Sequence, residues 1–419
     1  MTRIFTSDYR ENRKKPEYVD PFPVHKLKRV DRPTTIINES KIKRPDERTS
    51  GFFRAGNGEF GEHMRKEYKR FVPKHPLSGA LVSISGTLAN IVDAPQKSDQ
   101  EDITTENIAA HSSSYAPMDP MSEEKAPQTD DPDLMARHIK ETAYFLRSDM
   151  VGICELPRYA VYSHRKPDGK KVTLNHKYAI AILIDQDWFT ASASTGSDWI
   201  SNSMSFISYS TSGFIACVLA DYIRKLGYPA RAHHAMNYQV AIPPILLWAG
   251  LGEVSRMGEV VLNPFLGPRF KAAIVTTDLP MTIDKPIDFG LQDFCSKCKK
   301  CADKCPSSAI SHGDKEMFNG YEKWPTNVDR CTKMRVGNQL GASCGTCIKV
   351  CPWNKPYTPF HRTISWGMMK FPFLRRFGVW GDDLLGYGKA DYTRKWWLDL
   401  EKVDGKFIIP NSNKKALKD

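Results

Sequence analysis

Residues 295–306 read C-S-K-C-K-K-C-A-D-K-C-P, and residues 344–352 read C-G-T-C-I-K-V-C-P. The first run is C-x2-C-x2-C-x3-C-P, a spacing that ligates 4Fe–4S clusters in pairs. Cys295, Cys298 and Cys301 share one tight loop, so their thiolates can cap three irons of one cubane. Cys305 is expected to open the next helix and so to point toward a different cluster. The second run is the same motif without its first member. Cys331, with twelve residues between it and Cys344, can supply the missing ligand. Crossed ligation then gives two sets: Cys295, Cys298, Cys301 and Cys351 for the first cluster, and Cys305, Cys331, Cys344 and Cys347 for the second. A pair of zinc sites is the competing reading. Zinc favours separate cysteine pairs, often mixed with histidine, and it leaves both C-x3-C-P endings unexplained.

Eight of the ten cysteines fall within residues 295–351. A chain of 419 residues buries enough core to hold without disulfides, so this clustering reads as metal ligation. Cys154 and Cys217 stand on a predicted strand and helix and read as buried small hydrophobes. The length predicts two or three compact units. A 41% hydrophobic and 26% charged composition excludes wholesale disorder. No apolar run reaches the roughly 18 residues of a bilayer span, so none is expected. Sixty Lys and Arg against 48 Asp and Glu give +12. Such a surface attracts nucleic acid, an acidic redox partner or an anionic substrate, and charge alone does not choose. Arg13, Lys14 and Lys15 are followed by Pro16 and Glu17 rather than by an apolar stretch, and no twin arginine precedes them. A secretory signal is therefore not expected, and cytoplasmic residence is.

The chain divides into four parts. Residues 1–130 form an N-terminal extended arm and linker. Within them, 1–75 are basic and proline-punctuated, with Phe52, Phe53 and Phe71 as anchors, and 94–133 are rich in Ser, Asp, Glu, Pro and Gln. Residues 131–285 form a core of alternating helices and strands. Asp131-Pro132 starts a helix, carrying Met135, Ile139, Ala143, Leu146 and Met150. Residues 151–154 and 272–277 read as strands. Residues 178–184 (YAIAILI) read as a strand buried on both faces. Ile215, Leu219, Ile223 and Leu226 stripe a helix over 212–226 that Gly227 ends, and 243–251 give a short apolar helix. Residues 286–358 hold the cysteine module, and 359–419 are a C-terminal segment expected to pack on the core. No P-loop or G-x-G-x-x-G motif accounts for the core.

Several motifs occur in order ahead of and around that module. They are D-P-D-L-M-A-R-H-I-K-E-T-A-Y-F-L-R-S-D-M-V-G-I-C at 131–154, A-G-L-G-E-V-S-R-M-G at 249–258, N-P-F-L-G-P-R-F-K-A-A-I-V-T-T-D-L-P at 263–280 and W-W-L-D at 396–399. Together they resemble the cobalamin-dependent reductive dehalogenases over roughly 130–419. The resemblance implies an α+β fold: a nitroreductase-like α/β core that buries a base-off cobalamin, with a ferredoxin-like module of two 4Fe–4S clusters. It implies replacement of a carbon-bound halogen by hydrogen with two electrons and one proton.

The family's proton donor is a tyrosine, supported by a lysine or arginine about sixty residues later. Tyr209 matches the first. Lys271, and second to it Arg269, match the other; alternate strand positions share a face. A nearby cation favours tyrosinate. Asn237, in A-M-N-Y-Q, matches a pocket asparagine. Gly250, Gly252 and Gly258 are expected to let backbone approach the corrin. Asn263 joins them as a cofactor contact, and Trp353 is expected between cluster and corrinoid. His233 and His234 read as structural, since the family binds cobalamin base-off and this chain has no D-x-H-x-x-G. The implied substrate is a small organohalide, with a halogenated phenol as an extension because the same cation can hold its oxygen. A separate low-potential donor, ferredoxin or flavodoxin, is expected, and nucleic acid is not. Two other readings stay open. One is an epoxyqueuosine reductase-like tRNA-modifying enzyme, which +12 suits. It is disfavoured by a Tyr where that enzyme uses Asp and by the absence of a helical repeat after the clusters. The other is a pure iron–sulfur electron-transfer subunit, which would carry iron and no corrinoid.

Overall fold

The computed structural model describes residues 20–69, Leu77 and 121–409, apart from 167–168, 195, 236 and 340–342. Phe71 and most of the 94–133 segment lie outside the described residues. In the arm, β1 (Lys28–Arg29) leads into two short helices, Gly51–Gly56 and Glu62–Lys69. Helix α1 (Pro132–Phe145) begins where the sequence expects it. The Asp131 carboxylate accepts the backbone N–H groups of Asp133 and Leu134 at 3.0 Å each, and Pro132 has no donor to leave unpaired.

The core contains β2 (Met150–Glu155), β3 (Tyr178–Asp185), α2 (Trp199–Lys225), β4 (Ala230–His233), α3 (Ile242–Trp248) and β5 (Phe270–Thr277). The four strands form one sheet in the order β2-β3-β5-β4, antiparallel at every pairing. Helix and strand alternate in sequence, yet no parallel pair results. In β3, Ile180, Ile182 and Ile184 face α1 and α2, and Ala179, Ala181 and Leu183 face α3. Period-two alternation in a strand sandwiched by helices gives the unbroken apolar run. Cys154 and Cys217 fill these two layers as buried apolar groups.

Helix α2 starts at Trp199, thirteen residues before the expected 212 (212 − 199 = 13). It ends where Gly227 turns to φ +87°, as expected. Among the described residues it alone is long and apolar enough to cross a bilayer. It packs along β3, β4 and β5, with Ile215, Leu219 and Ile223 fully buried, so it is the core's central helix.

The cysteine module follows β6 (Ile287–Asp288), which pairs antiparallel with β1. It contains α4 (Leu291–Lys297), α5 (Lys300–Asp303), α6 (Val328–Gly337) and α7 (Thr346–Lys349). Helices α8 (Pro359–Lys370) and α9 (Leu374–Leu384) cover it. Arg375 donates to Met368 O at 3.0 Å and to Asp293 at 2.5 Å, and buried Asp382 pairs with Lys300 and Lys355. Further on, Lys395 pairs with Asp198 at the start of α2 at 2.7 Å.

Candidate active site and cluster module

Tyr209 projects from the buried middle of α2, and Lys271 from the second position of β5. The Lys271 Nζ stands 4.9 Å from the Tyr209 ring centroid. Cation–π contact is an attraction of about 0.5–2 kcal/mol that fixes the ammonium beside the phenol. Phe206 meets the Tyr209 ring edge-on at 6.3 Å. Tyr238 lies close enough to feel Tyr209 electrostatically. Its hydroxyl donates to Ala272 O at 2.8 Å, one residue from Lys271. Burial, with the Tyr209 and Tyr162 charges behind it, pushes the Tyr238 phenol well up, so it stays a protonated donor to that carbonyl.

Arg269 goes elsewhere. Its guanidinium grips Asp185 with Nε–Oδ1 at 2.7 Å and Nη2–Oδ2 at 3.0 Å, and it donates to Asn354 Oδ1 at 2.6 Å. Both charged side chains are almost fully buried, at 3% and 5% exposure. Arg269 thus joins the sheet to the cysteine module and has its fork filled. Asn237 Oδ1 accepts from Arg231 at 2.8 Å, and its Nδ2 is buried without a partner among the described residues. His233 is fully buried between Thr276 Oγ1 and the Gln239 N–H, and burial pushes its pKa well down, so it is a neutral structural residue.

The three glycines and Asn263 sit against protein. A Cβ on Gly250 would meet Lys285 O at 2.3 Å, on Gly252 Leu262 O at 2.4 Å, and on Gly258 Trp324 O at 2.8 Å. The backbone they admit is therefore the chain's own. Asn263 donates to Leu251 O at 2.7 Å and accepts from Phe265 and Leu266 N–H at 2.9 and 3.0 Å, so it builds a turn. That turn ends at Gly267 (φ +62°), where a Cβ would lie 2.4 Å from Trp353 O. The 263–269 motif is a joint between core and module. Trp353 packs edge-to-face on Phe289 and Phe294, at 5.1 and 5.7 Å, in one cluster with Cys295, Cys298 and Cys351. Its indole Nε1 is buried without a partner.

Cys295, Cys298 and Cys351 pack in one cluster and Cys305 and Cys347 in another with Cys301, which also neighbours Cys351. Burial, reinforced by Cys295, Cys298 and Cys301, pushes the Cys351 thiol up. Burial also pushes up Cys347, whose thiol neighbours are Cys344, Cys301, Cys331 and Cys305. Buried thiolates need cationic partners, which iron supplies. Cys305 sits in the turn after α5 rather than at a helix start, with Cys331 and Cys347 among its neighbours. Among the described residues no three His, Cys, Asp or Glu side chains close tightly enough to hold a single ion. Zinc, with Zn–S near about 2.3 Å, fits such spacing less well than a cubane whose irons stand between the sulfurs.

Residues that the sequence reading passed over complete the picture. Arg256 is 2% exposed and donates to Cys295 O at 2.8 Å and to Ser311 O and Gly313 O at 3.0 Å, which braces the first cysteine loop. Asn202 Nδ2 and Ser210 Oγ on α2 are buried without partners. The run S-N-S-M-S-F-I-S-Y-S-T-S at 201–212 was the available signal: a buried helix this rich in serine faces something polar.

Residues 294–354 match the 4Fe-4S double cluster binding domain. The tetrachloroethene reductive dehalogenase of Sulfurospirillum multivorans is 29% identical over 310 residues, covering 65% of this chain and 61% of that protein. The Desulfitobacterium hafniense enzyme of the same name is 34% identical over 241 residues, covering 54% and 42%. A solved structure of the catabolic reductive dehalogenase NpRdhA in complex with 3-bromo-4-hydroxybenzoic acid is 40% identical, covers 96% of this chain and 54% of that one, and superposes with a TM-score of 0.82.

This chain is similar to the cobalamin-dependent reductive dehalogenases over most of its length. It spans 61%, 42% and 54% of the lengths of these three reductive dehalogenases. The cofactors of reductive dehalogenases are cobalamin and two 4Fe–4S clusters, and the residues present fit both. Eight cysteines gathered in two adjoining clusters suit the iron–sulfur groups. The buried, unpartnered donors on Asn202, Ser210, Asn237 and Trp353 suit a large polar ligand rich in acceptor oxygens, because a buried donor left unpaired costs about 1–3 kcal/mol.

Proposed function

We infer that the chain replaces a carbon-bound halogen of a small organohalide by hydrogen. The balance is two electrons and one proton in, halide and the hydrogenated carbon out. The observation that carries this reading is the Lys271 ammonium held 4.9 Å over the Tyr209 ring, in a cofactor family where a proton must be delivered at the reacting carbon. A base-off cobalamin in a nitroreductase-like core supplies the low-potential electron pair. Cys295, Cys298, Cys301 and Cys351 would hold one cluster, and Cys305, Cys331, Cys344 and Cys347 would hold the other. Tyr209 gives up its phenolic proton, and Lys271 stabilises the negative charge left on the oxygen. The Arg269–Asp185 pair keeps module and sheet in register. A halogenated phenol is the favoured substrate class, supported by the 3-bromo-4-hydroxybenzoic acid complex of NpRdhA and by a lysine able to meet a phenolate. Electrons come from a separate low-potential ferredoxin or flavodoxin, which the +12 charge suits. Cytoplasmic residence completes the reading, in keeping with ten cysteines that form no disulfide; cell fractionation checks it.

Anaerobic purification with metal analysis, then halide release from a panel of organohalides under a chemical reductant, tests the reading. About eight irons and one cobalt per chain are expected, with halide released from at least one halogenated phenol. Tyr209→Phe should keep both metals and lose roughly 10²–10⁴ in turnover. A corrinoid-replete enzyme that releases no halide from any organohalide would overturn it.

A further inference from the structure

Asn237 stands in the short loop after β4, and that loop is pinned on three sides. Its own N–H donates to His234 O at 2.8 Å, the Gln239 N–H donates to His233 Nδ1 at 3.1 Å, and Tyr238 reaches Ala272 O at 2.8 Å. The last contact fixes the loop beside Lys271. The Asn237 amide is held from behind by Arg231, a residue of β4 that is 4% exposed and donates to Oδ1 at 2.8 Å. A guanidinium has five donors, no acceptor, and keeps its proton. The amide atom facing it must therefore be the oxygen. The usual ambiguity of an asparagine flip is absent here. The NH2 group is forced to the other side, where it is buried and meets no partner among the described residues.

We propose that Arg231 is a positioning residue: it locks Asn237 as a donor, so the group that Asn237 meets in the loaded site is a hydrogen-bond acceptor oxygen. The reasoning is one of elimination by chemistry. A freely turning amide can offer either its oxygen or its nitrogen and accept many ligands. An amide locked by arginine offers only N–H, and it penalises a ligand that presents a donor or a bare apolar group there, because the buried N–H is then left unsatisfied. Resting on the dehalogenase reading, the acceptor is a phenolate or carboxylate oxygen of the halogenated substrate; a carbonyl oxygen of a corrin amide has the same chemistry. Both sources use the same lock.

The test uses the holoenzyme and two readouts besides turnover: cobalt content, and equilibrium binding of 3-bromo-4-hydroxybenzoate to the resting enzyme, followed by its spectral perturbation. Asn237→Asp keeps the Arg231 partner but turns an oxygen toward the ligand, so acceptor would face acceptor. Arg231→Met frees the amide to turn. Arg231→Lys keeps a donor behind it. If the acceptor belongs to substrate, Asn237→Asp should weaken binding by roughly 100-fold and Arg231→Met by roughly 10-fold, each at unchanged cobalt. Arg231→Lys should recover most of the loss. If it belongs to the corrinoid, the same two variants should lose cobalt in the same order, with lysine again rescuing. Should Arg231→Met fail to fold, Asn237→Asp carries the test alone, because it preserves the Arg231 contact. Unchanged binding and unchanged cobalt in Asn237→Asp would overturn the proposal. Equal loss in Arg231→Met and Arg231→Lys would reduce Arg231 to a bulk packing role and overturn it as well. None of these measurements depends on halide release, so failure of the dehalogenase reading shows separately, in the wild-type assay.

Discussion

Lys271 and Arg269 stand two positions apart and do different work, because only one of them has a carboxylate in reach. The Asp185 fork absorbs Arg269 completely, while Lys271 turns its ammonium to an aromatic face. Lys271→Met should therefore lower turnover at normal melting temperature and metal content, and the Tyr209→Phe/Lys271→Met pair should be little worse than Tyr209→Phe, since groups acting as a unit are not additive. Arg269→Met should do the reverse. It leaves a buried carboxylate without its cation, a loss of about 3–5 kcal/mol, and should appear in thermal denaturation with turnover per bound cobalt near normal. A second acid joins this pair. Asp149 accepts the Asp185 N–H at 2.7 Å. Burial first, and the Asp185 charge second, push its carboxyl from the ordinary 3.8 up to about 7. A carboxyl raised in the folded chain binds its proton more tightly there than when unfolded, so stability falls as pH rises from about 4 through about 7, and the full penalty holds above that. Asp149→Asn keeps an acceptor oxygen for that N–H and removes the charge. It should melt higher than wild type at pH 8 and nearly level with it at pH 5; equal gains at both would show that Asp149 does not titrate in this range.

At the scale of elements, what was legible followed from hydrophobic periodicity. Strand β3 shows itself as an unbroken apolar run because both its faces are covered, and α1 because Asp131-Pro132 caps it. Helix α2 was legible only from 212, where its apolar stripe begins. The turns upstream carry Ser201, Asn202, Ser203, Ser208 and Ser210, all buried. A helix face built for a polar ligand has no apolar stripe to find. Strand β4 escaped for a related reason: A-R-A-H carries two polar side chains that serve a hydrogen-bond network. The glycines at 250, 252 and 258 and Asn263 were visible as a pattern, but their partners are long-range backbone atoms that no local sequence window contains. The cysteines were fully legible, because ligand spacing is itself local. Helix α7 separates the two groups: it carries Cys347 toward one, and the chain leaving it carries Cys351 to the other. Cys351→Ala should therefore damage the first cluster while leaving the signal of the second, although Cys351 belongs to the second motif. Electron paramagnetic resonance of the reduced variant checks this, and selective loss of the second cluster's signal would refute crossed ligation.

Across the whole molecule, core and cysteine module are joined by a few buried polar contacts and by three apolar side chains of the core, Met257, Val260 and Leu262, that pack among the cysteines. Arg256 reaches from the core to three carbonyls of the module, Arg269 reaches Asn354, and Gly267 lets the Trp353 backbone close on the 263–267 turn. The sheet has its own two apolar layers, one under α1 and α2 and one under α3. The module's apolar clusters, by contrast, are built largely around cysteines: Cys295, Cys298 and Cys351 in one, Cys301 with Cys305 and Cys347 in the other. Its order should therefore depend on the metal, since ligand binding to the folded form is itself folding free energy. Stripping iron with a chelator under anaerobic conditions should release amide protection across 291–354 first. The amides of β3 and β5 should keep most of theirs, because the sheet is buried between two apolar layers of its own to which the cysteine clusters do not belong. Hydrogen exchange read by mass spectrometry on the stripped and loaded protein distinguishes the two regions. If β3 and β5 lost protection in step with the cysteine loops, the joint would hold the core up and the four-stranded sheet would not be an independent unit. If only the module opened, the Arg269–Asn354 contact would be broken while Asp185 still held Arg269, leaving the face of the core that carries Tyr209 and Lys271 formed.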